Sequence, residues 1–251
     1  MVTASLIQVD DTRGYVTLAL LVALLAGLAA GVNRVSGLGH GRDDLVAALR
    51  ATVQLAVVGL VIAVVLQSWW LTTLFVAVMV SVASVTAGRR LARGRRWVLA
   101  AIPVCGSALP VAAVLLLSGL MPMTPIAVVP IVGILVGGAM TATSLAGRRT
   151  LDALRNRNGE LEAALSLGFY GRDARLLVAR DDAGLALVPG LDQTRTVGLV
   201  TLPGAFVGML LGGATPIQAA AVQLLVLAAL LLVQAVAAAT TLELVARAGF
   251  G

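Results

Sequence analysis

Little in this 251-residue chain is equipped for making or breaking bonds. It holds one histidine, His40, and one cysteine, Cys105, so a single copy can build neither a disulfide framework nor a His/Cys metal cluster. With no lysine anywhere, the phosphate-binding loop G-x-x-x-x-G-K-[ST] is excluded, and the zinc motif H-E-x-x-H is absent. Any ATP and Mg that drive this protein must therefore be bound by another polypeptide. Convergent acid, base and nucleophile groups are also missing, so the chain is expected to be non-catalytic and to bind no cofactor itself. What remains is a thin set of polar groups inside apolar runs, chiefly Arg50, Gln54, Asp192 and Thr196. Such groups are costly in hydrocarbon unless they are paired or face a polar path, which makes them candidates for a pathway or a gate. Pro203 belongs with them: inside an apolar run it removes a helical hydrogen bond, and Gly198 and Gly204 on either side leave little bulk.

The elements that carry these groups follow from composition. Hydrophobic residues make up 59% of the chain and charged residues 12%, whereas an ordinary globular domain is about 25% charged. The mean hydropathy is +1.01. A soluble enzyme is excluded, and an all-α polytopic membrane protein is expected, with lipid as its solvent. The net charge of +6 comes entirely from arginine on the basic side, and it reads as loop charge that orients spans rather than as a nucleic-acid surface.

A span needs roughly 20 apolar residues. Seven stretches qualify: 15–32, 45–66, 69–87, 97–117, 125–146, 191–211 and 216–242. Arginines collect in alternate loops, at Arg34 and Arg42, at Arg89, Arg90, Arg93, Arg95 and Arg96, and through residues 147–190. The intervening loops carry no charge. By the positive-inside rule this pattern predicts an N-terminus outside, a C-terminus inside, and one transmembrane domain spanning residues 1–251.

The long polar segment 147–190 is no simple tether. Leu151, Leu154, Leu161 and Leu165 recur at helical intervals, and Gly168 and Gly171 bracket Phe169–Tyr170. This predicts a helix, a tight turn bearing two aromatics, and a second helix ending near Pro189. Glu162–Ala163–Ala164, followed by Gly168, resembles the EAA-x-x-x-G signature of bacterial ABC-transporter permeases. That resemblance implies a cytoplasmic coupling loop that docks on an ATPase, with Phe169, Tyr170 and Arg172 as the exposed contacts.

A closer resemblance covers most of the chain from about residue 45 onward. The run P-G-L-D-Q-T-R-T-V-G-L-V-T-L-P-G, from Pro189 to Gly204, resembles the signature of the FetB/YbbM family of iron-export ABC permeases, to which plant aluminium-tolerance permeases are similar. Arg50, Gln54 and Gly59 in the second span match as well, as does V-P-I-V-G-I-L-V-G from Val129 to Gly137. Where the family commonly has Asn after Gly137, this chain has Gly138. The resemblance implies a permease that exports iron or a related metal across the bacterial cytoplasmic membrane by alternating access. It implies a homodimer in lipid served by two copies of a separate ATPase. The metal-binding residues are not specified by the residue pattern. The alternative reading is a secondary transporter of a small solute or ion, which would need no ATPase.

Overall fold

The computed structural model describes residues 11–91 and 95–248, and Arg93 lies outside them. The chain divides into two compact units, one ending at Gln67 and the other beginning at Ser68.

The first unit is a pair of helices, α1 (Thr12–Val35) and α2 (Gly41–Val65). Asp11 starts α1 by accepting the Thr12 amide at 2.7 Å, one of the orphan donors of a helix start. The turn between them uses Gly37 and Gly39 at φ +73° and +77°, and Asn33 donates to Asp44 across it at 2.5 Å. Both helices are apolar around nearly their whole circumference. None of the most apolar window of α1 is buried, and only 6% of that of α2.

The second unit is built around α5 (Pro125–Asn156), which packs against α3 (Trp69–Leu91), α4 (Ala101–Leu117) and α10 (Pro216–Ala248). Small residues bring these helices close, as expected where lipid gives no hydrophobic drive between them. Ala83, Ala87, Ala108, Ala112, Ala139 and Ala237 are all buried in the shared core. Gly88 has no room for a side chain because the Trp97 carbonyl occupies the space, and at Gly147 the Leu91 side chain does so. Pro125 sits in the first turn of α5, where its missing amide costs nothing. The start of α10 is a reciprocal cap: the Gln218 amide donates to Thr215 Oγ1 at 3.3 Å, and the Thr215 amide to Gln218 Oε1 at 3.0 Å.

Between α5 and α10 lie α6 (Asn158–Ser166), α7 (Gly171–Gly184), a 3-10 turn at Leu185–Leu187, α8 (Val188–Thr196) and α9 (Gly204–Leu211). The helical segment expected from residue 147 therefore starts later, because α5 runs on to Asn156. The pair of helices joined at Phe169–Tyr170 is present.

The seven-span arrangement is corrected here. Six helices among the described residues are long and apolar enough to cross a membrane, and residues 191–211 do not form one of them. That stretch is two short helices, α8 and α9, separated at Val197–Pro203. Gly198 there takes φ +85°, its amide donates to the Thr201 carbonyl at 2.9 Å, and the Val200 and Thr201 amides return to the Thr196 carbonyl. Pro203 then caps α9 in an extended conformation. Mean hydropathy registers the apolar side chains of this stretch but not the rerouted backbone hydrogen bonds. The assignment of an outside N-terminus and an inside C-terminus falls with the count, because it relied on an odd number of crossings.

Candidate functional site

The hairpin of α6 and α7 shows why its sequence has the spacing it has. Leu167 closes α6 and Gly168 follows in the left-handed region at φ +91°. The Gly168 amide donates to the Leu165 carbonyl at 3.0 Å and the Phe169 amide to the Ala164 carbonyl at 3.2 Å. These two bonds make a Schellman stop, in which glycine tolerates the backbone turn that other residues resist. Ala164, four residues before that glycine, is buried at 5% exposure, where a larger side chain would push the hairpin open. Glu162 and Ala163 point outward, and the Glu162 carboxylate accepts from Asn158 Nδ2 at 2.7 Å. Past the stop, Leu167 and Tyr170 are 80% and 82% exposed, with Phe169 beside them. They border a shallow cavity of about 250 Å³, and a second of about 370 Å³ lies between Ala163, Phe169 and Leu177. An apolar tip with two shallow cavities is suited to receive another protein's side chains.

The base of the hairpin is fixed by Arg157, at the corner between α5 and α6. Its Nε and Nη2 donate to both Glu160 oxygens at 2.8 and 2.6 Å, and its Nη1 donates to the Val178 carbonyl at 2.8 Å and to Asp182 at 3.2 Å. The bond from Arg157 holds the Glu160 carboxyl below its ordinary value. Arg172 is equally engaged. Its Nε and Nη2 donate to the two oxygens of Glu243 on α10 at 2.6 and 2.8 Å, and its Nη1 to Asp173 at 2.7 Å. Hydrogen bonding to Glu243 raises the Arg172 pKa. Arg247 also donates to Glu243, and Arg175 donates to the Ala246 carbonyl at 2.9 Å, near the end of α10.

Of the expected pathway residues, Arg50 and Gln54 lie exposed on α2 in the first unit. The others belong to the second unit and sit in two places. Gly137 and Gly138 are on α5; at Gly138 a Cβ would run into Leu230 Cδ1, with Gln234 Nε2 3.6 Å away, while the space at Gly137 is open. Asp192, Thr196, Gly198, Pro203 and Gly204 belong to α8, α9 and the break between them. Asp192 faces Arg195 at 3.5 Å, with both side chains mostly exposed, and Thr196 Oγ1 donates back to the Asp192 carbonyl.

Several residues of this region are marked in the sequence only as polar groups inside apolar runs, a mark they share with many others. Gln234 on α10 packs its amide against Gly190 of α8, so closely that a Cβ at Gly190 would meet its Oε1, and against Gly138 of α5. Three elements thus converge on one polar side chain. Thr143 Oγ1 and Gln223 Oε1 are buried among the described residues without a hydrogen-bond partner, a costly state inside a membrane protein. Glu243 is the only acid after Asp192. That isolation was its one visible mark, since Arg247 four residues on suggests only a local pair. No group of three or more His, Cys, Asp or Glu is gathered to hold a metal among the described residues.

Comparison with known proteins places this architecture. Residues 15–250 match the family model described as "Uncharacterised protein family (UPF0014)". The "UPF0014 membrane protein STAR2" of Oryza sativa subsp. japonica is 32% identical over 209 residues, covering 81% of this chain and 72% of that protein. "Protein ALUMINUM SENSITIVE 3" of Arabidopsis thaliana is 34% identical over 215 residues, 83% of this chain and 77% of its own length. The "Probable iron export permease protein FetB" of Escherichia coli (strain K12) is 30% identical over 218 residues, 86% of this chain and 83% of its own. No solved structure matches. The six apolar helices and a match that runs nearly end to end agree: the chain is a multi-pass membrane protein and belongs to the UPF0014 family, among the relatives of the FetB permease.

Proposed function

We propose that this chain is the membrane subunit of an ATP-driven exporter of iron or a related metal ion, working by alternating access in a bacterial cytoplasmic membrane. The observation that carries the reading is the rigid α6–α7 hairpin, whose apolar tip at Leu167, Phe169 and Tyr170 is exposed while its base is pinned by charge-assisted hydrogen bonds. A tip of this kind needs a protein partner, and the absence of a phosphate-binding lysine means that the partner must bring ATP and Mg. Two copies of the chain with two copies of the ATPase would complete the machine. Cargo would pass beside α5, α8 and α10, where Gln234, Gly138 and Gly190 converge.

A second reading, a secondary transporter, is favoured by the interruption at Val197–Pro203, since broken helices often bind ions in such proteins. One experiment separates the two. The chain is purified from its native membrane with whatever it retains, placed in lipid vesicles, and assayed for ATP hydrolysis with Fe(II), Fe(III) and other metals. The exporter reading expects a retained ATPase stimulated by one metal, with stimulation lost in Phe169→Ala/Tyr170→Ala and weakened in Glu162→Ala. Metal movement without ATP, and no retained ATPase, would establish the secondary transporter instead.

A further inference from the structure

Motion of the hairpin must enter the membrane part by some route, and the chain offers two. One follows the backbone from α7 through α8 into α9. That route is a poor strut, because at Val197–Pro203 it consists of a left-handed glycine and a few turn hydrogen bonds. The other leaves the backbone altogether. Arg172 lies three residues beyond Phe169 and grips Glu243 with a two-pronged hydrogen bond, 71 residues away in sequence. One turn further along α7, Arg175 holds the Ala246 carbonyl. Both fasten the hairpin to the last turns of α10.

We propose that the Arg172–Glu243 clamp makes α10 the lever that carries displacement of the hairpin tip to the Gln234 junction. From Glu243 to Gln234 is nine residues of unbroken helix, about 13 Å. A helix of that length moves as a rod. At Gln234 the rod meets Gly190 and Gly138, whose lack of side chains lets the Gln234 amide sit directly against α8 and α5. A shift of α10 along or about its axis therefore presses on α5 and α8 together. Arg172 and Glu243 are 44% and 30% exposed, where an ordinary single-contact ion pair contributes little to folding, but this pair is two-pronged. Its strong, planar geometry is better explained as the transmission of direction.

This inference rests on the exporter reading, and its test separates the two. In a Cys105→Ser background, an environment-sensitive fluorophore is attached at Val236→Cys, an exposed position on α10 between Gln234 and Glu243. A second preparation carries it at Leu199→Cys, in the break. Each is made as the complex with the ATPase it retains, and emission is followed on adding ATP. We expect a response at position 236. Glu243→Gln should reduce it about fivefold or more with ATP hydrolysis retained, and Arg172→Gln should reduce it as far. The double variant should fall no further than either single, the mark of two groups acting as one. Arg172→Lys, which keeps the charge and loses the fork, should fall between. Arg180→Gln, on the same helix, should match the parent. An undiminished response in the Gln variants, drops that multiply in the double, or a response at Leu199→Cys alone would overturn the lever while leaving the exporter standing. If no ATPase is retained, or ATP moves neither label, the exporter reading falls and the lever falls with it.

Discussion

Helix α5 and the stretch 191–211 are made of similar material and fold differently. Both are apolar, both carry several glycines, and both place a proline well inside the run, Pro130 in one and Pro203 in the other. Yet α5 passes straight through its proline in a helix of 32 residues, and the other breaks into helices of nine and eight residues. The difference lies in their neighbours. Half of the most apolar window of α5 is buried, with α3, α4, α7 and α10 packed around it, whereas α9 has no buried residue. Packing on several sides replaces what a proline takes away, so a helix of glycine and proline survives where other helices hold it and comes apart where they do not.

The largest effect expected from this contrast is at glycines. Gly88→Ala would drive a Cβ into the Trp97 carbonyl, a backbone atom that cannot swing aside. A loss of about 1–3 kcal/mol or more is expected, read as a lowered Tm of the detergent-solubilised protein. Gly208→Ala in α9 meets open space and should be neutral or slightly stabilising. Equal costs at the two sites would break the comparison. A smaller effect is expected inside the break. Gly198→Ala must hold alanine at φ +85°, a cost of about 1–2 kcal/mol, and hydrogen exchange should speed up at residues 197–201 while α5 keeps its protection. If exchange there slows instead, the break is a helix waiting for a better residue and the lesson about neighbours is wrong. The smallest effect concerns the hairpin base. The folded pKa of Glu160 is depressed by Arg157, so the pair's contribution is present above the ordinary carboxylate value and lost only as pH falls through the lower, folded one. Exchange over residues 157–182, corrected for its intrinsic pH dependence, should match at about pH 7 and about pH 5.5. Loosening by about pH 5.5 would mean the base is held by something else.

These contrasts also mark how far the sequence can be read. Six spans are visible as length and hydropathy, and the hairpin is visible because Gly168 and Gly171 punctuate an otherwise helical pattern. The break at Val197–Pro203 was not visible, because Pro110 and Pro130 have the same local signature and remain within α4 and α5. Only the tertiary surroundings distinguish them. Arg172 was legible only in part, for a related reason. Its position beside the tip suggested an exposed contact, and its partner Glu243 is brought to it by the fold. Gln234 is visible only as one of several polar residues inside apolar runs, and what sets it apart, two glycines on other helices that leave room for it, appears only in the fold.

The lengths of α5 and α10 have a further consequence. At 32 and 33 residues they run about 48 and 50 Å, against about 40–45 Å for a whole bilayer with its headgroups. Even laid straight across, they have several ångströms left over, and they share that surplus at the end where the hairpin is clamped. That end of both helices is the charged one, with Arg148, Arg149, Asp152 and Arg155 on α5 and Glu243 and Arg247 on α10, as suits helix that stands clear of lipid. On the exporter reading, an ATPase would then meet the hairpin in water rather than in the plane of the membrane, and its capture would follow its bulk concentration more than the lipids beneath.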